Sequence, residues 1–305
     1  MAEVGIIYHC EGAGHAMRML AIAERLDDKG VDIEMTGGGP GERFLEMRDL
    51  SDYTPTVTNM RGRFEKNKFK ALFYIFSDPL DRLRDLRHWI REENPDVLVT
   101  DDVLGLIAAF LEDKKFYTVT HVSRDVPEST LEGWMTWAVN KLVSRKNEEM
   151  FYCTIWDGLK PEGAKQVGPL APKGSERQDL DFDILFVPTK ASEMEEEITE
   201  ELEGYDVKMV GSEDWETQRS LQPFISEADV VICAGYSTMM EAAVAGTSCI
   251  MIPQTSEQNG IADILSDYEG FKTYSGDLEK DISSVGEPQQ RPNGAETIAS
   301  FLAEE

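Results

Sequence analysis

The sequence predicts an α/β protein of two doubly wound parallel-sheet domains that face each other across a cleft. Two observations predict it. Apolar runs of strand length, such as "VGIIYH" (4–9), "PDVLVT" (95–100), "FDILFVP" (182–188) and "SCIMIP" (248–253), alternate with stretches of helical period. The alternation breaks once, over the Gly- and Pro-bearing stretch 157–181, and then restarts. Short apolar strands separated by helices pair in parallel and are covered on both faces. A chain of 305 residues suits two cores better than one.

The first domain, 1–156, opens on the core strand "VGIIYH", followed by a helix over 15–28 and the strand "VDIEMT" (31–36). The turn "GGGPG" (37–41) opens a short helix, and a long helical pattern covers 66–93. The strand at 95–100, a helix at 103–113, the strand "FYTVTHV" (116–122) and a helix at 130–150 carrying Trp134 and Trp137 complete it. Residues 157–181 read as a linker. The second domain, 182–290, begins with "FDILFVP" and a helix at 191–203, then "YDVKMVG" (205–211) and a helix at 216–227. It continues with "ADVVICAG" (228–235), a helix at 237–245, "SCIMIP", and a helix from 257. The tail 291–305 is a last helix, capped by Asn293 with Glu296 three residues on, and is placed to pack back on the first domain.

Lys and Arg number 30 against 58 Asp and Glu, a formal net charge of −28. Such a charge repels phosphate backbones and speaks against nucleic acid as a partner. The carboxylates are spread along helix faces rather than gathered in a tail, which predicts adaptation to high salt, where screening removes their repulsion. The charge is uneven: −7 over residues 1–150 and −21 over the rest. No apolar run reaches the length of a membrane span, and the start lacks the basic segment of a signal peptide. A cytoplasmic location is therefore expected. Cys10, Cys153, Cys233 and Cys249 are scattered and read as buried thiols rather than zinc ligands.

Three stretches carry candidate chemistry. In "YHCEGAGHAMRM" (8–19), Met17 stands where a dinucleotide fingerprint needs its third glycine, which disfavours a nicotinamide enzyme. Gly12 and Gly14 still let backbone amides approach a ligand at the helix start. His15 is open to three readings: part of a nucleotide site, a base that takes a proton from a sugar hydroxyl, or a plain helix-start residue. In the second stretch a strand ends at Gly235, and Ser237 and Thr238 open a helix whose amides and hydroxyls suit a diphosphate. Glu241 fits the two hydroxyls of a ribose or, equally, a capping box with Thr238. The third stretch is "PQTSEQNG" (253–260), with Ser256 as cap and Glu257, Gln258 and Asn259 offering polar groups to sugar hydroxyls. At other strand ends, Asp102 is a second candidate base, His121 faces the same cleft, and Asp101 reads as a helix cap.

Together, "GAGHAMR" near the start and "ADVVICAGYSTMMEAAVAGTSCIMIP" with "EQNGIA" late in the chain resemble the GT-B nucleotide-sugar glycosyltransferases. The resemblance is to the type that includes the peptidoglycan lipid-linked N-acetylglucosamine transferase, and to an archaeal branch of that group. It runs through most of the chain in order, although its specific motifs occupy a small part. It implies two Rossmann-like domains and transfer of a sugar from a UDP-sugar donor to a hydroxyl acceptor, with no metal or other cofactor. By that resemblance Gly235, Ser237 and Thr238 hold the diphosphate, Glu241 the ribose diol, and Gln258 with Asn259 the sugar. Gly12, Gly14 and His15 match a loop whose histidine activates the acceptor. One departure stands out: "VPTK" (187–190) occupies the place of a glycine-rich loop, where Lys190 substitutes by charge for lost amide contacts. The departure is also compatible with a non-catalytic sugar-nucleotide-binding subunit, and epimerases of the same donor class share this fold. Finally, "RGRFEKNKFKALFYIF" (61–76) sets five basic residues against one acid among four phenylalanines and a tyrosine. That stretch predicts a surface for anionic lipid heads and a lipid-linked acceptor, against the plainer reading of core aromatics under a basic outer face.

Overall fold

A computed structural model gives the arrangement of these elements and describes residues 3–48, 53–54, 58–60, 68–122, 141, 148–174, 180–188 and 195–304. Two parallel sheets carry the chain. In the first, β1 (Val4–Ile7) is flanked by β2 (Ile33–Thr36) and β4 (Val97–Thr100). Outside β2 lies β3 (Tyr53–Thr54), and outward from β4 follow β5 (Lys115–Thr120), β6 (Glu149–Cys153) and β7 (Lys165–Val167). The register aligns Val4 with Ile33 on one side and Val97 on the other. In the second sheet β8 (Ile184–Val187) and β10 (Val230–Cys233) are central. Beyond β8 lies β9 (Val207–Met209), and beyond β10 lie β11 (Ser248–Met251) and β12 (Phe271–Thr273).

The burial explains the sequence pattern. β1, β4, β10 and β11 are buried at every position, so they read as unbroken apolar runs instead of alternating ones. Helix α1 (Ala13–Asp28) is buried over most of its circumference, from Ala16 to Ala23, because it lies between the first sheet and the second domain. The chain order turns back between β1 and β4, and again between β8 and β10. In sheets of this kind ligands bind beyond the strand ends at such switch points. Helices α2 (Glu42–Glu46), α3 (Lys68–Glu93) and α4 (Val103–Leu111) complete the first domain. The second holds α5 (Glu195–Glu201), α6 (Gln222–Glu227), α7 (Tyr236–Ala245), α8 (Ser256–Leu265) and α9 (Leu278–Ser284). No described helix is long and apolar enough to cross a membrane.

Helix α10 (Gly294–Ala303) returns to the first domain. Phe301 packs edge-on against Tyr117 and Phe151, and Lys29 holds Glu296 at 2.6 Å. Asn293 caps the helix through the amide of Ala295 and donates to the carbonyl of Ala171. The amide of Gly294 donates to the carbonyl of Pro169, and a Cβ on Gly294 would stand 2.2 Å from the carbonyl oxygen of Gly168.

Several expectations need correction. β7 lies inside 157–181, so part of the expected linker is an edge strand of the first sheet. The helix expected over 216–227 shortens to α6, whose first turn carries Pro223, a residue suited to that position. The helix expected over 191–203 ends two residues early, at Glu201 in α5, and residues 191–194 lie outside the described residues. The Trp134 and Trp137 helix, Lys190 and residues 61–67 lie outside the described residues, as do the side chains of 68–76. All four cysteines are buried free thiols.

In the glycine turn after β2 the tightest position is Gly39. Gly39 has φ +74, and a Cβ there would meet the carbonyl oxygen of Cys10 at 2.0 Å. Gly39→Ala is expected to destabilise the fold by about 1–3 kcal/mol, read as a lower denaturation midpoint with an unchanged slope.

Candidate functional site

The loop after β1 and the loop after β4 meet beyond the first sheet. Gly12, with φ +85, ends the turn and starts α1 without a side-chain cap, leaving the helix amides to other partners. His15 then sits in the first turn, with Nδ1 2.8 Å from Oδ2 of Asp101. Arg18, one turn further along the same face, donates from Nε and Nη2 to that oxygen at 3.2 and 2.7 Å. The amide of His9 donates to the other Asp101 oxygen at 2.9 Å. Burial opposes the charge on Asp101, but His15, Arg18 and the His9 amide hold its carboxyl far below the usual carboxylate range.

The two aspartates exchange the roles expected of them. Asp102 is the cap of α4, accepting from the amide of Leu104 at 2.9 Å. Its other oxygen takes Nε and Nη2 of the buried Arg82 at 2.9 and 2.7 Å. Arg82 also ties down the carbonyls of Tyr8 and Gly37. With 1% exposure and both oxygens engaged, Asp102 is a structural anion rather than a base. Asp101 is the carboxylate that orients a histidine.

His9, which the sequence reading passes over, lies beside His15 with ring centroids 5.0 Å apart. Burial works against a charged ring, yet the Asp102 and Glu11 carboxylates outweigh it and push His9 up to about 10. A cation therefore stands next to His15 at neutral pH. His121, at the end of β5, accepts from Nη1 of Arg18 at Nδ1 and meets Oε1 of Glu257 through Nε2 at 2.9 Å. Burial and the Arg18 charge lower the pKa of His121, so the ring is neutral.

The opposite wall comes from the second domain. α7 begins after Gly235 with no side-chain cap, and Tyr236, Ser237 and Thr238 form its first turn. The capping-box alternative fails, because Gly235 rather than Thr238 is the cap residue. Tyr236 stacks on His121 with centroids 4.9 Å apart, and its hydroxyl accepts from the amide of Ile155 and donates to the carbonyl of Cys153. Ser237 touches Gly14: a Cβ on Gly14 would lie 3.1 Å from that of Ser237. The two walls thus face each other and meet at this point.

Glu241, one turn into α7, is 2% exposed, and its Oε2 is buried with no hydrogen-bond partner. Burial pushes its pKa up to about 7, against the pull of Gln222, Arg48 and Ser237. Arg48 also pairs with Glu24, donates to the carbonyl of Arg219 at 2.5 Å, and lines a cavity of about 440 Å³ with Lys173, Gln218, Ser220 and Phe224. On α8, Thr255 rather than Ser256 is the cap. Gln258 accepts from the amide of Gln254 at 2.8 Å and so braces the loop before the helix, with Asn259 next to it in the first turn.

No family model and no curated protein sequence matches the chain. Solved structures do. The chain is similar over its whole length to the whole of the Streptomyces sp. SF2575 glycosyltransferase SsfS6 complexed with thymidine diphosphate, with TM-score 0.66 and 12% identity. It is similar in the same way to MurG of Acinetobacter baumannii, with TM-score 0.60 and 15% identity over 100% of both chains. A Listeria monocytogenes structure assigned as a UDP-N-acetylglucosamine 2-epimerase matches 99% of this chain with 97% of its own, at TM-score 0.64 and 13% identity. The fold is GT-B. Within this GT-B frame, the His15–Asp101 pair belongs to the first domain and the Ser237–Glu241 turn to the second, and α1 and α7 bring them together. Arg18, His9 and the orienting role of Asp101 were missed in the sequence. The one available signal was an arginine three residues after His15 in the otherwise apolar "AMRMLAIA" (16–23).

Proposed function

We infer that the protein transfers a glycosyl group from a nucleoside-diphosphate sugar, read as a UDP sugar, to a hydroxyl acceptor. The observation that carries this reading is the meeting of an oriented histidine with an uncapped helix start: His15 bonds Asp101 at 2.8 Å, and the adjacent Gly14 touches Ser237. Asp101 accepts a hydrogen bond from Nδ1–H of His15, which keeps the ring proton on Nδ1 and leaves Nε2 bare, as a general base requires. His15 removes the acceptor proton as the acceptor oxygen attacks the anomeric carbon. The bond to the diphosphate breaks, and its electron pair leaves with the diphosphate, toward the amides and hydroxyls of Ser237 and Thr238. No step in this scheme calls for a metal. Because Gly14 and Ser237 touch, the domains part to admit the sugar donor and close on it.

Glu241 supports the UDP assignment. Its unpartnered buried oxygen suits a ribose diol, which offers two hydroxyl protons where a 2′-deoxyribose offers one. The cavity beside Arg48 then receives the base. A hydrogen bond to a charged group is worth about 1.5–3 kcal/mol, so at pH 8, where Glu241 is ionised, UDP is expected to bind about ten- to a hundredfold more tightly than thymidine diphosphate by calorimetry. Equal affinities would remove the diol from the reading.

The resemblance in the sequence extends the proposal to N-acetylglucosamine as the sugar and to a lipid-linked acceptor met at the membrane surface through residues 61–76. An epimerase would need acid–base carboxylates in the cleft; of Asp101, Asp102 and Glu11, the first two are engaged by Arg18 and Arg82, while Glu11 lies beside His9. Incubation with UDP-N-acetylglucosamine in high salt separates the outcomes. Released UDP or a transferred sugar is expected. An epimer with UDP retained overturns transfer, and binding with no product marks a non-catalytic sugar-nucleotide-binding subunit.

A further inference from the structure

A chain of hydrogen bonds crosses the seam between the domains, from Glu257 through His121 and Arg18 to Asp101 and His15. Its protons can be placed. A guanidinium has donors only, so His121 Nδ1, which faces Nη1 of Arg18, is the bare, accepting nitrogen. The His121 proton is then on Nε2 and is donated to Oε1 of Glu257 at 2.9 Å. Burial opposes the charge on Glu257, but the His121 hydrogen bond and the positive charge nearby hold its carboxyl below the ordinary range, so it is an ionised acceptor.

At His15 the same reasoning finds a contest. Nδ1 lies 2.8 Å from an acceptor, Oδ2 of Asp101, and 2.8 Å from a donor, Nη2 of Arg18. If Nδ1 carries the proton, it donates to Asp101 and Nε2 is left bare. If Nδ1 is bare, it accepts from Arg18, and the proton sits on Nε2, where it blocks the base. The direction of the Nη2 hydrogens decides between them, and two neighbours set it together: Asp101, which takes Nε and Nη2, and His121, which takes an Nη1 hydrogen.

We propose that Glu257, on the nucleotide-sugar side of the seam, is a positioning residue that sets the tautomer of His15 on the acceptor side, acting through His121 and Arg18. Without Glu257, His121 loses the acceptor that holds its proton on Nε2 and is kept in that tautomer by Arg18 alone, so a larger share of the ring carries the proton on Nδ1. In that share Nη1 loses its acceptor, and the guanidinium, whose Nη2 already lies 2.8 Å from His15 Nδ1, shifts an Nη2–H toward His15. Glu257 lies in the first turn of α8 beside Gln258, so His15 is bare at Nε2 only when the two domains meet. This inference rests on His15 being the base for its consequence in turnover, though not for its tautomer.

The test is two-bond 1H–15N correlation on the full-length protein labelled with 15N-histidine, without ligand, at neutral pH. In the parent, His15 is expected to be protonated at Nδ1 and His121 at Nε2. Glu257→Ala should move both rings toward the opposite tautomer. Glu257→Gln, whose amide oxygen still accepts from His121, should keep the parent pattern. His121→Phe preserves the ring face against Tyr236 and removes both nitrogens, and it should shift His15 in the same sense even if Glu257→Ala folds poorly. An unchanged His15 in the folded variants overturns the proposal. In parallel, kcat for release of UDP from UDP-N-acetylglucosamine should fall about ten- to a hundredfold in Glu257→Ala, with a smaller change in KM and recovery in Glu257→Gln. A shifted tautomer with undiminished turnover would keep the coupling and remove His15 as the base.

Discussion

His15→Ala is expected to lower turnover by about 10²–10⁴ while leaving the affinity for UDP at the parent value. The split follows from position. His15 belongs to the first domain and bonds Asp101, whereas the groups proposed to hold the nucleotide, Ser237 and Glu241, belong to α7 in the second. Removing the imidazole deprives the acceptor hydroxyl of its proton acceptor and leaves the nucleotide side untouched. Asp101→Asn should produce a similar loss with the ring still present, because an amide at that place can offer Nδ1 a donor and favour the wrong tautomer. Steady-state rates with UDP-N-acetylglucosamine and calorimetry with UDP measure the two quantities. Parent-level turnover in a folded His15→Ala protein would end the assignment, and a parallel loss of UDP affinity would move His15 into the nucleotide site.

Glu241→Gln is expected to weaken UDP binding and strengthen the fold at the same time. The binding loss is about ten- to a hundredfold, from one or two hydrogen bonds to a charged group. The gain in stability has a pH signature. Burial raises this carboxyl from an ordinary 4.5 to about 7 in the folded protein. Below pH 4.5 the group is protonated in both states and contributes nothing. Between 4.5 and 7 the unfolded chain ionises while the folded one resists, so stability falls as pH rises, by about 3 kcal/mol in all. Glutamine has no such titration. Denaturant unfolding in high salt should therefore find parent and variant similar near pH 4.5 and the variant more stable at pH 8. A variant less stable than the parent at pH 8 would mean that Glu241 has a structural partner and is not held for a ligand. A residue that weakens the empty fold and tightens a complex is a mark of function.

The fold was largely legible because its strands are buried on both faces, and a run such as "VVIC" (230–233) then has one reading. The edge strands were not. β3 has two residues and β7 three, too short for any period to register. The site was legible where chemistry is local: the glycine turn at Gly12, the histidine at the helix start, and Asn293 as a cap all follow from near neighbours in sequence. What escaped was pairing at a distance. Asp101 and Asp102 are adjacent, both end the same strand, and either can cap α4. Only the arrival of Arg82 at one and of His15 with Arg18 at the other distinguishes them. Glu257 could be read as a polar helix start, but its partner lies 136 residues earlier on another domain.

The doubled crossing between the domains has a mechanical consequence. The chain passes once after β7 and again before α10, and the two passes lie side by side, joined by the bond from Gly294 to Pro169 and by Asn293 on Ala171. Two tethers fastened together act as a single pivot. If the lobes part to admit a donor, as proposed above, they would pivot here, and a Cβ on Gly294 pressed against the Gly168 carbonyl would disturb that pivot.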